Sequence, residues 1–130
     1  MAMPDQSMPS REAVAQFLSD FRAAIRLGFI HWLPRPEDRQ HLIDLNITQN
    51  QALERLTQLT PENYSKGPQP DDVKPDREVW TFGFDLDGAE VYLKLALQPD
   101  PRRRHVVHGL IWSYHRAEWP MSYPLRGKGK

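Results

Sequence analysis

Between Glu78 and Arg116 the chain reads as three β-strands in succession, and no other stretch restricts the fold as much. In Glu78 to Leu86, Trp80, Phe82, Phe84 and Leu86 fall on one phase, with Val79, Thr81 and Gly83 on the other. Successive side chains of a strand point to opposite faces, so the aromatic phase marks a buried face. Asp87-Gly88 follows and signals a tight hairpin, because a two-residue type I′ turn needs positive φ at both positions. In Ala89 to Leu97, Val91, Leu93, Leu95 and Leu97 alternate with Glu90, Tyr92 and Lys94. Gln98 to Arg104 reads as a turn, and His105 to His115 as a central strand that is apolar on both phases.

The chain before this stretch carries helical periodicity. Ser10 is placed as an N-cap and Glu12 in the first turn, where a carboxylate suits the helix dipole. Val14, Phe17, Leu18, Phe21 and Ile25 then form one apolar stripe, and Gly28 stops the helix. Phe29 to Leu33 reads equally as an edge strand or an extended connector. Pro36, Glu37 and Asp38 open a second helix that buries His41, Leu42 and Leu45 and ends at Asn46. Thr48 and Gln51 have capping-box spacing, with Ile47 and Ala52 as a hydrophobic staple. The third helix buries Ala52, Leu53, Leu56 and Leu59. Thr60-Pro61-Glu62 opens a tight turn, and the polar, proline-rich run on to Pro75 is expected to be a long surface loop or flap.

With 130 residues, one domain is expected. Residues 1–9 read as a flexible lead-in, 10–125 as the domain and 126–130 as a disordered basic tail. The sequence Trp119 to Pro124 is too aromatic for solvent filler and is expected to pack on the sheet or helices. There is no cysteine, so thiolate metal sites and disulfides are ruled out. No segment has the length and apolarity to span a membrane, and no signal pattern opens the chain, so a soluble cytoplasmic protein is expected. Lysine plus arginine equals aspartate plus glutamate, which argues against a broad electrostatic grip on nucleic acid.

His105 and His108 are three apart on a strand, which puts them on opposite faces and disfavours a metal centre. No glycine-rich phosphate loop or nucleophile elbow is present. What remains is a set of lysine, tyrosine and histidine that needs no cofactor. Such a set suits RNA cleavage, in which the substrate's own 2′-hydroxyl is the nucleophile. The protein must then supply a base, an acid and cations for the charge growing on the phosphate oxygens. Histidine titrates near neutrality and serves either role.

Leu59 to Gly67 (LTPENYSKG), Val79-Trp80, Val91 to Leu95 (VYLKL) and Ser113-Tyr114-His115 together resemble the MqsR family of bacterial toxins. The phrases fall in the family's order over roughly the C-terminal half. The resemblance implies a RelE-like α+β fold, with N-terminal helices packed on one face of a mainly antiparallel sheet. It also implies the toxin of a type II toxin-antitoxin pair, a metal-independent endoribonuclease that cleaves single-stranded mRNA and is neutralised by a cognate antitoxin protein. Lys66 falls on the family's loop lysine, Tyr92 on its strand tyrosine and Lys94 in its YLK phrase. His115 stands where the family's best-known member has a lysine, and Thr81 where that member has a glutamine.

Lys66, Tyr92 and His115 are thus the candidate catalytic residues. Lys94, Trp80, Thr81, Arg102, Arg103 and Arg104 are candidates for substrate binding. Plainer readings stand beside these. Tyr92 and Lys94 suit the solvated face of a sheet, Lys66 a surface loop, His115 a strand rim, Trp80 the core and Arg102 to Arg104 a solvated turn. His31, His41, His105 and His108 are assigned to structure or surface. A non-catalytic RNA- or protein-binding regulator that retains the fold is the alternative function. The two readings differ in whether Lys66, Tyr92 and His115 converge on an open hollow or the C-terminal segment fills it.

Overall fold

A computed structural model describes residues 8–33 and 38–127. Helix α1 (Arg11–Leu27) starts where Ser10 accepts a hydrogen bond from the Ala13 amide and stops at Gly28, whose φ of 80° suits glycine. Strand β1 (Ile30–Trp32) follows at once, so Phe29 to Leu33 provides an edge strand. Helix α2 spans Asp38–Asp44, and Asn46 takes the left-handed conformation after it. The proline and glutamate expected to open α2 lie outside the described residues. Helix α3 (Gln49–Thr57) carries the complete Thr48–Gln51 capping box, each side chain bonding the other's backbone amide. A cap of this kind is worth about 1 kcal/mol.

Strand β2 (Tyr64–Pro70) corrects the expectation of a long loop after the third helix. It pairs antiparallel with β3 (Glu78–Leu86), and only Asp71 to Arg77 remains as connector. That connector is closed by the Asp71 amide on the Arg77 carbonyl and by the Asp71–Arg77 ion pair. Pro68 and Pro70 lie within β2. They fit because β2 is an edge strand, where a missing N–H disrupts no ladder on its open side. Strand β4 (Ala89–Pro99) turns back through Asp87 and Gly88, both at positive φ, and β5 (Val107–Arg116) completes the sheet.

The order is β1-β5-β4-β3-β2, with β1 parallel to β5 and every other pairing antiparallel. The fold is therefore α+β with a mixed five-stranded sheet. The middle strand is β4, while β5 sits one place from the edge. Helices cover one face. Phe17 of α1 stacks on Trp80 and Phe82, with ring centroids 4.7 and 5.7 Å away. Val14, Leu18, Phe21 and Leu56 join Leu93, Leu95 and Ile111 in that core. Gly109 lies under α1, where a Cβ would meet Ile30 and Phe21.

At the start of β5 the edge strand is pinned by a polar chain. His31 and His108 share a hydrogen bond of 2.8 Å, and His108 bonds Asp100 at 2.8 Å. That bond, together with the Arg102 and Arg103 amides, holds the Asp100 carboxyl well below the usual carboxylate range. A depressed folded value stabilises the fold above the ordinary carboxylate range, and the contribution is lost as pH falls through the lower value. Asp100→Asn is expected to lower the thermal midpoint at neutral pH. It should also narrow the stability gap to wild type in strong acid, as read from melts across pH.

Candidate active site

A β-bulge sets up the site. Lys94 pairs with Ser113 and Leu95 with Ile111, so Trp112 is an extra residue in β5 and the strand changes phase there. Ile111 and Tyr114 both reach the helical core, where the Tyr114 hydroxyl donates to the Ala52 carbonyl at 3.0 Å. Burial pushes the Tyr114 hydroxyl pKa far above the ordinary tyrosine value. Because Tyr114 turns inward, His115 emerges on the opposite face of the sheet, beside Tyr92.

Two cross-strand rows occupy that face. Lys66, Thr81, Lys94 and Ser113 are successive partners across four strands, and Gly83, Tyr92 and His115 form the neighbouring row. Adjacent strands lie about 4.8 Å apart, which sets Lys66 and Lys94 roughly 10 Å apart at the backbone. Lys66 is a strand residue and needs no folded-back loop to reach the sheet. Irregular pairing on either side of it and the 2.6 Å bond from the Tyr64 hydroxyl to the Gly67 carbonyl fix its place. Gly67 is obligatory there, since it has a φ of 108° and a Cβ would lie 2.8 Å from the Val79 carbonyl oxygen.

The rings of Tyr92 and His115 stack, with centroids 5.2 Å apart and planes inclined by 17°. His115 Nδ1 lies 2.8 Å from the Arg116 carbonyl oxygen. A carbonyl only accepts, so Nδ1 carries the proton, and in the neutral ring Nε2 keeps its lone pair. His41 of α2 meets the same ring edge-on at 5.2 Å, a neighbour that the helical pattern placed among structural residues. Neither Lys66 nor Lys94 has an ion-pair partner among the described residues.

The C-terminal segment forms the far wall of the site. It lies on Gly83, where a Cβ would come within 2.5 Å of the Tyr123 hydroxyl and 2.7 Å of the Met121 sulfur. Glu90 anchors it three times: its carbonyl accepts from the Ala117 amide, and its carboxylate accepts from the Met121 amide and the Tyr123 hydroxyl. Burial first, and then the Glu90 hydrogen bond, raise the Tyr123 hydroxyl pKa far above its ordinary value. Arg126, expected in a disordered tail, lies over the Tyr123 ring at 3.8 Å. Alternation puts Glu90 on the phase opposite Val91 and Leu93, and nothing local to it signals a partner 33 positions away.

Between this strap and the sheet lies an open cleft of about 700 Å³. Lys66, Thr81, Tyr92, Lys94, Ser113 and His115 line it, so the strap bounds the hollow without filling it. Glu118 is the carboxylate on its lining. Two groups of substrate-binding candidates lie elsewhere. Trp80 is 7% exposed and faces the helices, stacked on Phe17, because it shares the phase of Phe82 and Phe84. Arg102, Arg103 and Arg104 sit in the β4–β5 turn at the far end of β5, with His115 roughly 26 Å along the strand from Val107. There Arg103 pairs with Asp100 and covers the Phe29 ring.

No helix among the described residues is long and apolar enough to cross a membrane. Comparison with family models, with curated proteins and with solved structures gave no match to this chain.

Proposed function

We propose that the chain is a metal-independent endoribonuclease for single-stranded RNA, acting as the toxin of a toxin-antitoxin pair with an MqsR/RelE-like fold. The observation that supports this reading is the convergence of Lys66, Lys94, Tyr92 and His115 on one open cleft. The order of the LTPENYSKG, VYLKL and SYH phrases adds to it. In this reading His115 Nε2 takes the proton of the 2′-hydroxyl, whose oxygen attacks phosphorus. The P–O5′ bond breaks, and the products are a 2′,3′-cyclic phosphate and a 5′-hydroxyl. Lys66 offsets the charge that builds on the phosphate oxygens, while Lys94 holds the phosphate in the bound substrate and the transition state alike. Tyr92 orients the phosphate and passes a proton towards the leaving oxygen. Thr81, 3% exposed beneath the lysines, offers one short hydroxyl where the family's best-known member has a longer amide, so substrate contact falls more heavily on the cations.

Purified full-length protein with single-stranded RNA and a chelator is expected to give fragments bearing those two ends. RNA left intact at high enzyme concentration would remove the nuclease reading in favour of a binding module. Lys66→Ala is expected to reduce the cleavage rate about 100-fold, the scale for losing one donor to a developing oxyanion. Lys94→Ala should act mainly through a raised KM. Single-turnover rates across RNA concentration separate the two.

A further inference from the structure

We propose that Trp119 is a stacking platform for an unpaired base next to the scissile phosphate. This deepens the ribonuclease reading and rests on it. Of the four tryptophans, Trp80 is buried, Trp32 and Trp112 are half-buried, and Trp119 is 78% exposed. A large aromatic surface left in water forfeits burial energy, and its position here is not that of a loose end. The chain is fixed just before Trp119 by the Ala117 amide on the Glu90 carbonyl, and just after it by the Met121 amide on the Glu90 carboxylate. Pro120 restricts the backbone between these anchors. The indole is thus displayed on a pinned strap, on the wall of a cleft that also holds Lys66, Lys94 and His115.

Cations for the phosphate with an aromatic face for the base is the combination by which proteins hold single strands. The neighbouring Glu118 repels a phosphate from the strap, so a base and not the backbone belongs on that wall. The Tyr92 ring already stacks on His115, whereas the Trp119 indole has no ring partner among the described residues. The ligand class is therefore a single-stranded oligonucleotide whose base beside the cleavage point is splayed out, and duplex RNA is excluded by the need for that base.

The test uses the full chain and a short 2′-deoxy oligonucleotide, which lacks the nucleophile and stays intact, together with the same strand made abasic at each position in turn. Wild type is expected to bind the base-bearing strand with quenching of tryptophan fluorescence. Trp119→Ala should weaken that binding about 5- to 150-fold, and Trp119→Phe should recover part of it. One abasic strand should bind wild type and Trp119→Ala equally. Equal weakening of all strands, or none, overturns the platform. Trp119→Ala that cleaves RNA with wild-type kcat/KM but no longer binds a protein partner also overturns it, and would assign the indole to that partner. Absence of cleavage by wild type itself would instead remove the ribonuclease reading, and the platform with it. Because Trp119 is exposed, an unchanged urea midpoint is expected and serves as the folding control.

Discussion

His115→Ala is expected to lower the RNA cleavage rate by about 10²–10⁴-fold, the range for removing a positioned proton-transfer group. The fold should survive. His115 is half-buried at the end of β5, and truncation forfeits a stack on Tyr92 worth about 0.5–1.5 kcal/mol. Total stabilities of single domains are several times that. A loss of activity with little change in the urea midpoint is therefore the expected pair of results. Under the proposed toxin reading, expression of wild type arrests growth in cells and expression of the variant does not.

His115→Lys sharpens the test. Lysine occupies this place in the best-known member of the family that the chain resembles, and it loses its proton only at far higher pH than histidine. If His115 acts as the base, His115→Lys should retain part of the activity with the rate–pH profile displaced to higher pH. A profile that stays in place would show that another group carries the proton. Wild-type cleavage by His115→Ala would end the assignment outright.

Phe82→Ala is expected to cost about 3–5 kcal/mol, read as a lowered urea midpoint at unchanged slope. Phe82 is fully buried between α1 and the sheet, stacked on Phe17 at 5.7 Å and met edge-on by Tyr64 at 6.1 Å. Removing the ring leaves a cavity that rigid neighbours on both layers close only in part. The effect reaches the cleft, because Tyr64 uses its hydroxyl to hold the Gly67 carbonyl next to Lys66. Any folded fraction of Phe82→Ala should then show weaker RNA binding than its folded population explains. A loss under about 1 kcal/mol would mean that the two layers repack freely, contrary to the stacked geometry.

Most of the secondary structure is legible in the sequence because its signals are local. The Ser10 cap, the Gly28 stop, the Thr48–Gln51 box and the Asp87-Gly88 turn each act within a few residues and recur in the structure. Strand alternation in β3 and β4 likewise sorts Trp80, Phe82, Leu93 and Leu95 towards the helices. The same phase places Trp80 away from the cleft, against Phe17.

The site needed distances that the sequence does not contain. Lys66 reads as a loop residue because prolines follow it at positions 68 and 70, yet an edge strand tolerates them. His31 and His108 are 77 positions apart and meet only because β1 runs parallel to β5. The strap on Gly83 and Glu90 is likewise a long-range contact, and it gives the hollow its second wall.

The sequence alone determined which strands hold the candidate residues: Tyr92 and Lys94 on β4, His115 on β5, and a helical layer behind. Hydrophobic periodicity is written residue by residue, and one face had to be buried. The tertiary structure decided how His115 comes to share a face with Tyr92. Strict alternation through Ile111 and Ser113 would have turned it towards the helices. The extra residue at Trp112 reverses the phase, because pairing with β4 and the burial of both Ile111 and Tyr114 are satisfied together only with a bulge.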